Sequence, residues 1–208
     1  MKPYKTLMAR GSDEFIVNKS RFIGHGAPVS SEEEALAFLA EMRAQYKDAS
    51  HNCFAYIVGT NSGIIRYSDD GEPSGTAGLP IIEVMKAREV VNCCVVVTRY
   101  FGGVLLGAGG LVRAYAQGAA TALNACGVGT MHPTGRYLLE APYAQLGKLE
   151  HYLERAPVVV EEKNFLDSVM LTLIVKTVDA DVFLREIANL FDGQLEPLLA
   201  EEVYAAWV

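Results

Sequence analysis

Apolar positions along this chain change period repeatedly, and the changes mark its elements. Residues 15–17 and 21–27 carry short strand patterns around Asn18-Lys19-Ser20, which predicts a hairpin. Ser31 followed by Glu34 has capping-box spacing, and Ala35, Leu36, Leu39, Met42 and Tyr46 then recur on one helical face to about Lys47. Glu32, Glu33 and Glu34 suit the positive start of that helix, so the acidic run needs no functional explanation. Residues 51–59 are apolar on both faces, the pattern of a central strand covered on each side. Asn61-Ser62-Gly63 signals a turn, with residues 64–67 as the returning strand.

Residues 68–78 are polar and without a periodic face, long for a loop, and loops of that kind are often functional. Leu79-Pro80 opens a helix carrying Ile81, Ile82, Met85 and Val90. Residues 93–97 read as a buried strand, followed by Gly102, Gly103, Gly107, Gly109 and Gly110 and then a helix from about Gly110 to Ala125. Leu111, Ala114, Tyr115, Gly118, Ala122 and Leu123 form its inner face, and Cys126-Gly127 closes it. Residues 127–135 have linker composition, which places a boundary at 130/131. Strand (136–140), helix (143–154), strand (158–162), strand (169–176), helix (181–191) and strand (203–208) follow, with Asp179 as cap and Gly193 as stop of the second helix. That β-α-β-β-α-β order predicts a ferredoxin-like sandwich. The fold class is α+β, in two domains, 1–130 and 131–208.

Charge divides unevenly between the two. Residues 1–130 carry 12 Lys+Arg and 12 Asp+Glu, whereas residues 131–208 carry 6 and 13. The acidic last third is a poor nucleic-acid surface, so any such binding belongs to a local patch in the first part. No apolar run reaches membrane-spanning length, and Met1-Lys2-Pro3-Tyr4-Lys5 leads into no signal core, so a cytosolic protein is expected. Cys53, Cys93, Cys94 and Cys126 lack C-x-x-C pairing; the adjacent pair should point to opposite faces of a strand as separate, reduced, buried thiols.

The glycine stretch between strand and helix is an anion-site candidate, because a helix start presents free N–H groups and a positive dipole end. Arg99 and Arg113 flank it. Close helix–strand packing also calls for glycine, and spacing alone does not separate the two. Gly102 and Gly107 have P-loop spacing, but Ala108 and Gly109 stand where Lys and Ser or Thr are required. A dinucleotide fingerprint from Gly107 fails at Val112. Asp69, Asp70, Glu72, Ser74 and Thr76 concentrate in the polar loop, either as Mg²⁺ ligands or as an ordinary solvated turn. His51 and Cys53 share a strand face; a His-activated thiolate competes there with a buried structural pair. His25, His132 and His151 lack metal-like spacing.

Four stretches together resemble the YigZ/IMPACT family: Ser20-Arg21-Phe22-Ile23, residues 49–55, residues 69–78, and residues 97–103 through 106–115. The likeness covers about residues 15–127, and the tail resembles the extra domain of bacterial members. It implies a first domain like domain 2 of ribosomal protein S5, followed by a ferredoxin-like domain. That pairing is similar to the fourth and fifth domains of elongation factor G, which implies a link to translation and RNA. Many relatives have lysine or threonine where Val104 and Leu105 stand, so this loop offers less charge to a phosphate.

The leading expectation is a non-enzymatic, cytoplasmic protein linked to regulation of translation, without a cofactor, binding RNA or a ribosome-associated partner. Arg99, Arg113 and the backbone from Gly107 to Gly110 would meet phosphate, with Gly102 and Gly103 in the same loop and His51 and Tyr100 available to bases. A rival is a Mg²⁺-dependent enzyme acting on a phosphorylated small molecule or nucleotide, since homoserine- and mevalonate-type kinases share the S5-like fold. There Asp69, Asp70 or Glu72 would hold the metal or act as base. The third reading is a protein-interaction module with an acidic docking domain. The walls of the site are expected to be the glycine stretch, the 69–78 loop and the start of the His51 strand.

Overall fold

The computed structural model describes residues 1–60 and 63–207, so two positions of the expected 61–63 turn and Val208 lie outside the described residues. The chain divides into two compact units, Tyr4–Thr130 and Met131–Val208 with Met1–Pro3.

In the first unit, β2 (Gly11–Val17), β3 (Ser20–Pro28), β4 (His51–Val58), β5 (Ile64–Ser68) and β6 (Cys93–Tyr100) form an antiparallel sheet of order β2-β3-β6-β4-β5. β1 (Tyr4–Leu7) precedes it. Asn18 and Lys19 both have positive φ, +46° and +66°, the two-residue turn whose twist suits a hairpin. One face of the sheet is covered by α1 (Glu32–Gln45). Ser31 Oγ accepts from Glu34 N, while the Glu34 carboxylate accepts from Ser30 N, one residue before the expected partner. The buried face is Ala35, Phe38, Leu39 and Met42; Leu36, expected inside, is half exposed because it lies off that stripe.

The other face carries α2 (Gly78–Ala87) and α3 (Gly107–Cys126), which pack Ile81, Ile82, Met85, Leu111 and Tyr115 on Phe22, Cys53, Val95 and Val97. Cys93 joins this core and Cys94 the opposite one, and all four cysteines are free and buried. Val90 lies beyond the end of α2. Close approach of α3 has a specific cause: a Cβ on Gly24 would stand 2.2 Å from the Gly118 carbonyl oxygen. α3 begins three residues earlier than its apolar periodicity indicates, so Gly107, Gly109 and Gly110 form its first turn instead of a loop. Gly127, φ +69°, ends it.

Residues 128–135 are not a linker. They belong to β7 (Val128–Ala141), a 14-residue strand. α4 (Tyr143–Leu153), β8 (Val158–Phe165), β9 (Val169–Lys176), α5 (Ala180–Leu190) and β10 (Leu198–Ala206) complete the β-α-β-β-α-β order. β7 lies between β10 and β9, β8 pairs with β9, and every one of these pairs is antiparallel, as in a ferredoxin-like sandwich. Leu149, Leu153, Phe183 and Ile187 of the helices bury against Leu139, Leu171 and Leu173 of the sheet. Asp179 caps α5 through its backbone carbonyl, and its side chain makes no capping bond. Gly193 follows the helix with φ +72°.

Candidate functional site

The 69–77 loop is wound around one carboxylate. Asp69 accepts N–H groups from Gly75 (2.8 Å), Ala77 (3.0 Å) and Gly78 (2.8 Å). Burial pushes its pKa up, but the three amides outweigh that and hold the pKa below the usual carboxylate range. Asp70, φ +44°, accepts from Asn52 N at 2.6 Å and from Arg43 Nη2 at 3.2 Å. His51 Nδ1 donates to the Asp70 carbonyl and Cys53 Sγ to that of Asp69. The loop is thereby clamped across the start of β4. Thr76 is buried with its hydroxyl on the Pro73 carbonyl, and Ser74 is exposed.

This winding drives Glu72 inward, where its side chain is 4% exposed. Arg99 lies opposite Phe22 on β3 and opposite His51 on β4, so the three share one row across the sheet. Arg99 Nη1 and the Tyr115 hydroxyl both donate to Glu72 Oε1 at 2.7 Å. Arg99 Nη2 reaches Ser20 Oγ, the guanidinium lies 5.5 Å from the Phe22 ring centroid and 5.4 Å from that of Phe101, and Nε is buried without a partner among the described residues. The second Glu72 oxygen, Oε2, stands 3.9 Å from His51 Nε2. Burial pushes the Tyr115 phenol and the Cys53 thiol far up, so neither ionises near neutrality. Cys53 is accordingly a structural thiol.

These groups floor a pocket of about 460 Å³. His51, Glu72 and Arg99 form its base, Phe101, Leu105 and Leu106 part of its apolar wall, and Gly107 and Ala108 bring in the start of α3. The three expected walls thus meet in one place. Arg99, expected to meet phosphate, is instead paired inside the protein. Arg113 does not line the pocket; it is exposed, makes no ion pair among the described residues, and lies back along α3, with Nη1 3.7 Å from where a Cβ on Gly109 would sit. Tyr100 also faces elsewhere, with its hydroxyl on Asp48 and its ring against Arg21.

The glycines divide by cause. A Cβ on Gly102 would stand 2.0 Å from the Lys19 carbonyl oxygen, a packing requirement, whereas Gly103 and Gly107 have φ of +82° and +67° with open space around them. Gly110 packs on Leu106. No side chain caps the start of α3. Among the described residues no group of three or more His, Cys, Asp or Glu is placed to hold a metal ion. Sequence reasoning missed Tyr115, Phe101 and Ser50 as parts of the site; the available signal was a tyrosine, not phenylalanine, on the wholly buried face of α3. A larger recess of about 630 Å³, lined by residues of α4, α5 and the segment between α4 and β8, contains none of the expected residues.

Residues 18–123 match the family model of the Impact N-terminal domain, and residues 139–194 match that of a domain of unknown function, DUF1949. The chain is 39% identical over 201 residues to the IMPACT family member YvyE of Bacillus subtilis, covering 97% of this chain and 93% of that one. It is 35% identical to the IMPACT family member YigZ of Escherichia coli, covering 89% and 92%. Mouse Protein IMPACT is 36% identical over 94 residues, 43% of this chain and 29% of that one. A solved structure described as that of a hypothetical protein aligns with a TM-score of 0.62 at 33% identity, covering 97% and 98%.

Proposed function

This chain belongs to the IMPACT family, and from that membership and the geometry of the pocket we propose a cytosolic protein that acts by binding, in a role linked to regulation of translation, with RNA or a ribosome-associated partner as its ligand. What carries the reading is the start of α3. Its first N–H groups have no side-chain cap, Gly107 and Ala108 open onto the pocket, and Arg113 lies over the same turn as a cation with no ion pair among the described residues. A helix start with an adjacent arginine favours a phosphate. The Mg²⁺-enzyme alternative has less support, because each carboxylate it would use already has partners: Asp69 three amides, Asp70 an amide and Arg43, Glu72 Arg99 and Tyr115.

Fluorescence-anisotropy titration of the full chain with a labelled single-stranded RNA at low salt tests the proposal. Binding should weaken with added salt, and Arg113→Ala should lower both affinity and salt slope, the slope by about 0.7 for one lost phosphate contact. Absence of RNA affinity at low salt, or an unchanged slope in the variant, would overturn it.

A further inference from the structure

Resting on that RNA-binding reading, we infer that the pocket holds one unstacked nucleotide whose base carries an exocyclic amino group (adenine, cytosine or guanine), presented to His51 and Glu72. The base of the pocket is charge-neutral, since the Arg99 guanidinium and the Glu72 carboxylate neutralise each other beneath it. It therefore has no net pull on a phosphate. It does have hydrogen-bonding capacity of one sign. A carbonyl only accepts, so the bond from His51 Nδ1 to the Asp70 carbonyl selects the Nδ1–H tautomer, in which Nε2 carries a lone pair. Glu72 Oε2 accepts no hydrogen bond from the described residues, although its side chain is 4% exposed. Two acceptors 3.9 Å apart on one pocket floor call for a donor bearing two hydrogens.

The remaining surfaces define the rest of the ligand. Phe101, Leu105, Leu106, Leu111 and Pro73 give apolar walls for a flat ring, and the Phe101 ring is backed by the Arg99 guanidinium. The open start of α3 stands at the same pocket for the attached phosphate. About 460 Å³ lies within the range of small-molecule sites and has room for a single nucleotide. The pocket therefore reads the amino edge of a base, while α3 and Arg113 hold its backbone.

Anisotropy titration of the full chain with labelled hexamers of adenosine and of inosine tests the amino group, because inosine replaces it with a carbonyl oxygen and carries one proton at N1 in place of two on the amino nitrogen. Adenosine should bind at least about tenfold more tightly, since inosine would set a carbonyl oxygen against the two acceptors and offer them only its single N1–H. In His51→Phe the ratio should fall toward one. Equal affinity of the native protein for both hexamers would overturn this inference and leave the RNA-binding reading standing. Failure to bind either hexamer at low salt would overturn both. Saturation by a lysine-containing peptide with no RNA affinity would also overturn both, and assign the two acceptors to an ammonium group.

Discussion

The Tyr115 hydroxyl donates to Glu72 Oε1 at 2.7 Å, onto the same oxygen that accepts Arg99 Nη1. A buried carboxylate so placed depends on both donors. Tyr115→Phe keeps the ring and removes one of them, at an expected cost of about 1.5–3 kcal/mol in urea unfolding. Glu72→Ala leaves the arginine buried and unpaired and should cost about 3–5 kcal/mol. The double variant should lose clearly less than the sum of the two, because the bond can be lost only once.

Asp69 organises its loop from the inside. Asp69→Asn keeps the shape but gives up the charge that three amides share, with an expected loss of about 2 kcal/mol. Hydrogen exchange should show the Gly75, Ala77 and Gly78 amides opening faster than in the native protein. Since folding lowers the pKa of Asp69, its contribution is complete above the ordinary carboxylate range and is lost as pH falls through the depressed folded value.

His25 should make the protein acid-sensitive in a separate window. Its ring is 3% exposed, lies 4.7 Å from the Tyr46 ring, and has Nε2 buried without a partner among the described residues. Burial lowers its pKa from 6.5 to about 4. The unfolded ring takes a proton first, so the contribution is present above pH 6.5 and is lost between 6.5 and about 4, by up to about 3 kcal/mol. Arg10 and Glu41, paired with each other, border the same recess. The native protein and His25→Phe, unfolded by urea at several pH values, should differ in slope only inside this window.

Gly24→Ala and Gly103→Ala separate packing from backbone strain. The first would place a Cβ 2.2 Å from the Gly118 carbonyl oxygen and force α3 off the sheet, with an expected loss of about 3 kcal/mol. The second meets nothing within 4 Å and bears only the left-handed φ of +82°, about 1–2 kcal/mol. Thermal unfolding of the two variants should rank them in that order.

Periodicity and capping carried much of the architecture. Ser31 and Glu34 announced α1, the two apolar faces of β4 announced its central place, and the order after residue 135 announced the ferredoxin-like sandwich. What failed has physical causes. Gly107 and Gly109 read as loop because glycine is a poor helix former, yet they lie in the first turn of α3, Gly107 with open space around it. Residues 128–135 read as linker because their partner strand lies about 70 positions away, with Pro133 opposite Tyr204. Arg99 looked available because Glu72 is distant in sequence; only the winding around Asp69 delivers that carboxylate to it. In the site, the residues nearest the pocket were legible by type, and their pairings were not.

The contact of Gly102 with the Lys19 carbonyl has a consequence for how this chain can vary. Ser20 Oγ accepts from Gly102 N at 3.2 Å and from Arg99 Nη2 at 3.4 Å, so the tip of the first hairpin and the exit of β6 fit each other atom by atom. A side chain at 102 or a longer turn at 18–19 would dislodge Arg99 as well as the loop. The two segments, about 80 residues apart, are thus heritable only as a pair. Grafting the pocket onto another scaffold would require carrying the hairpin with it.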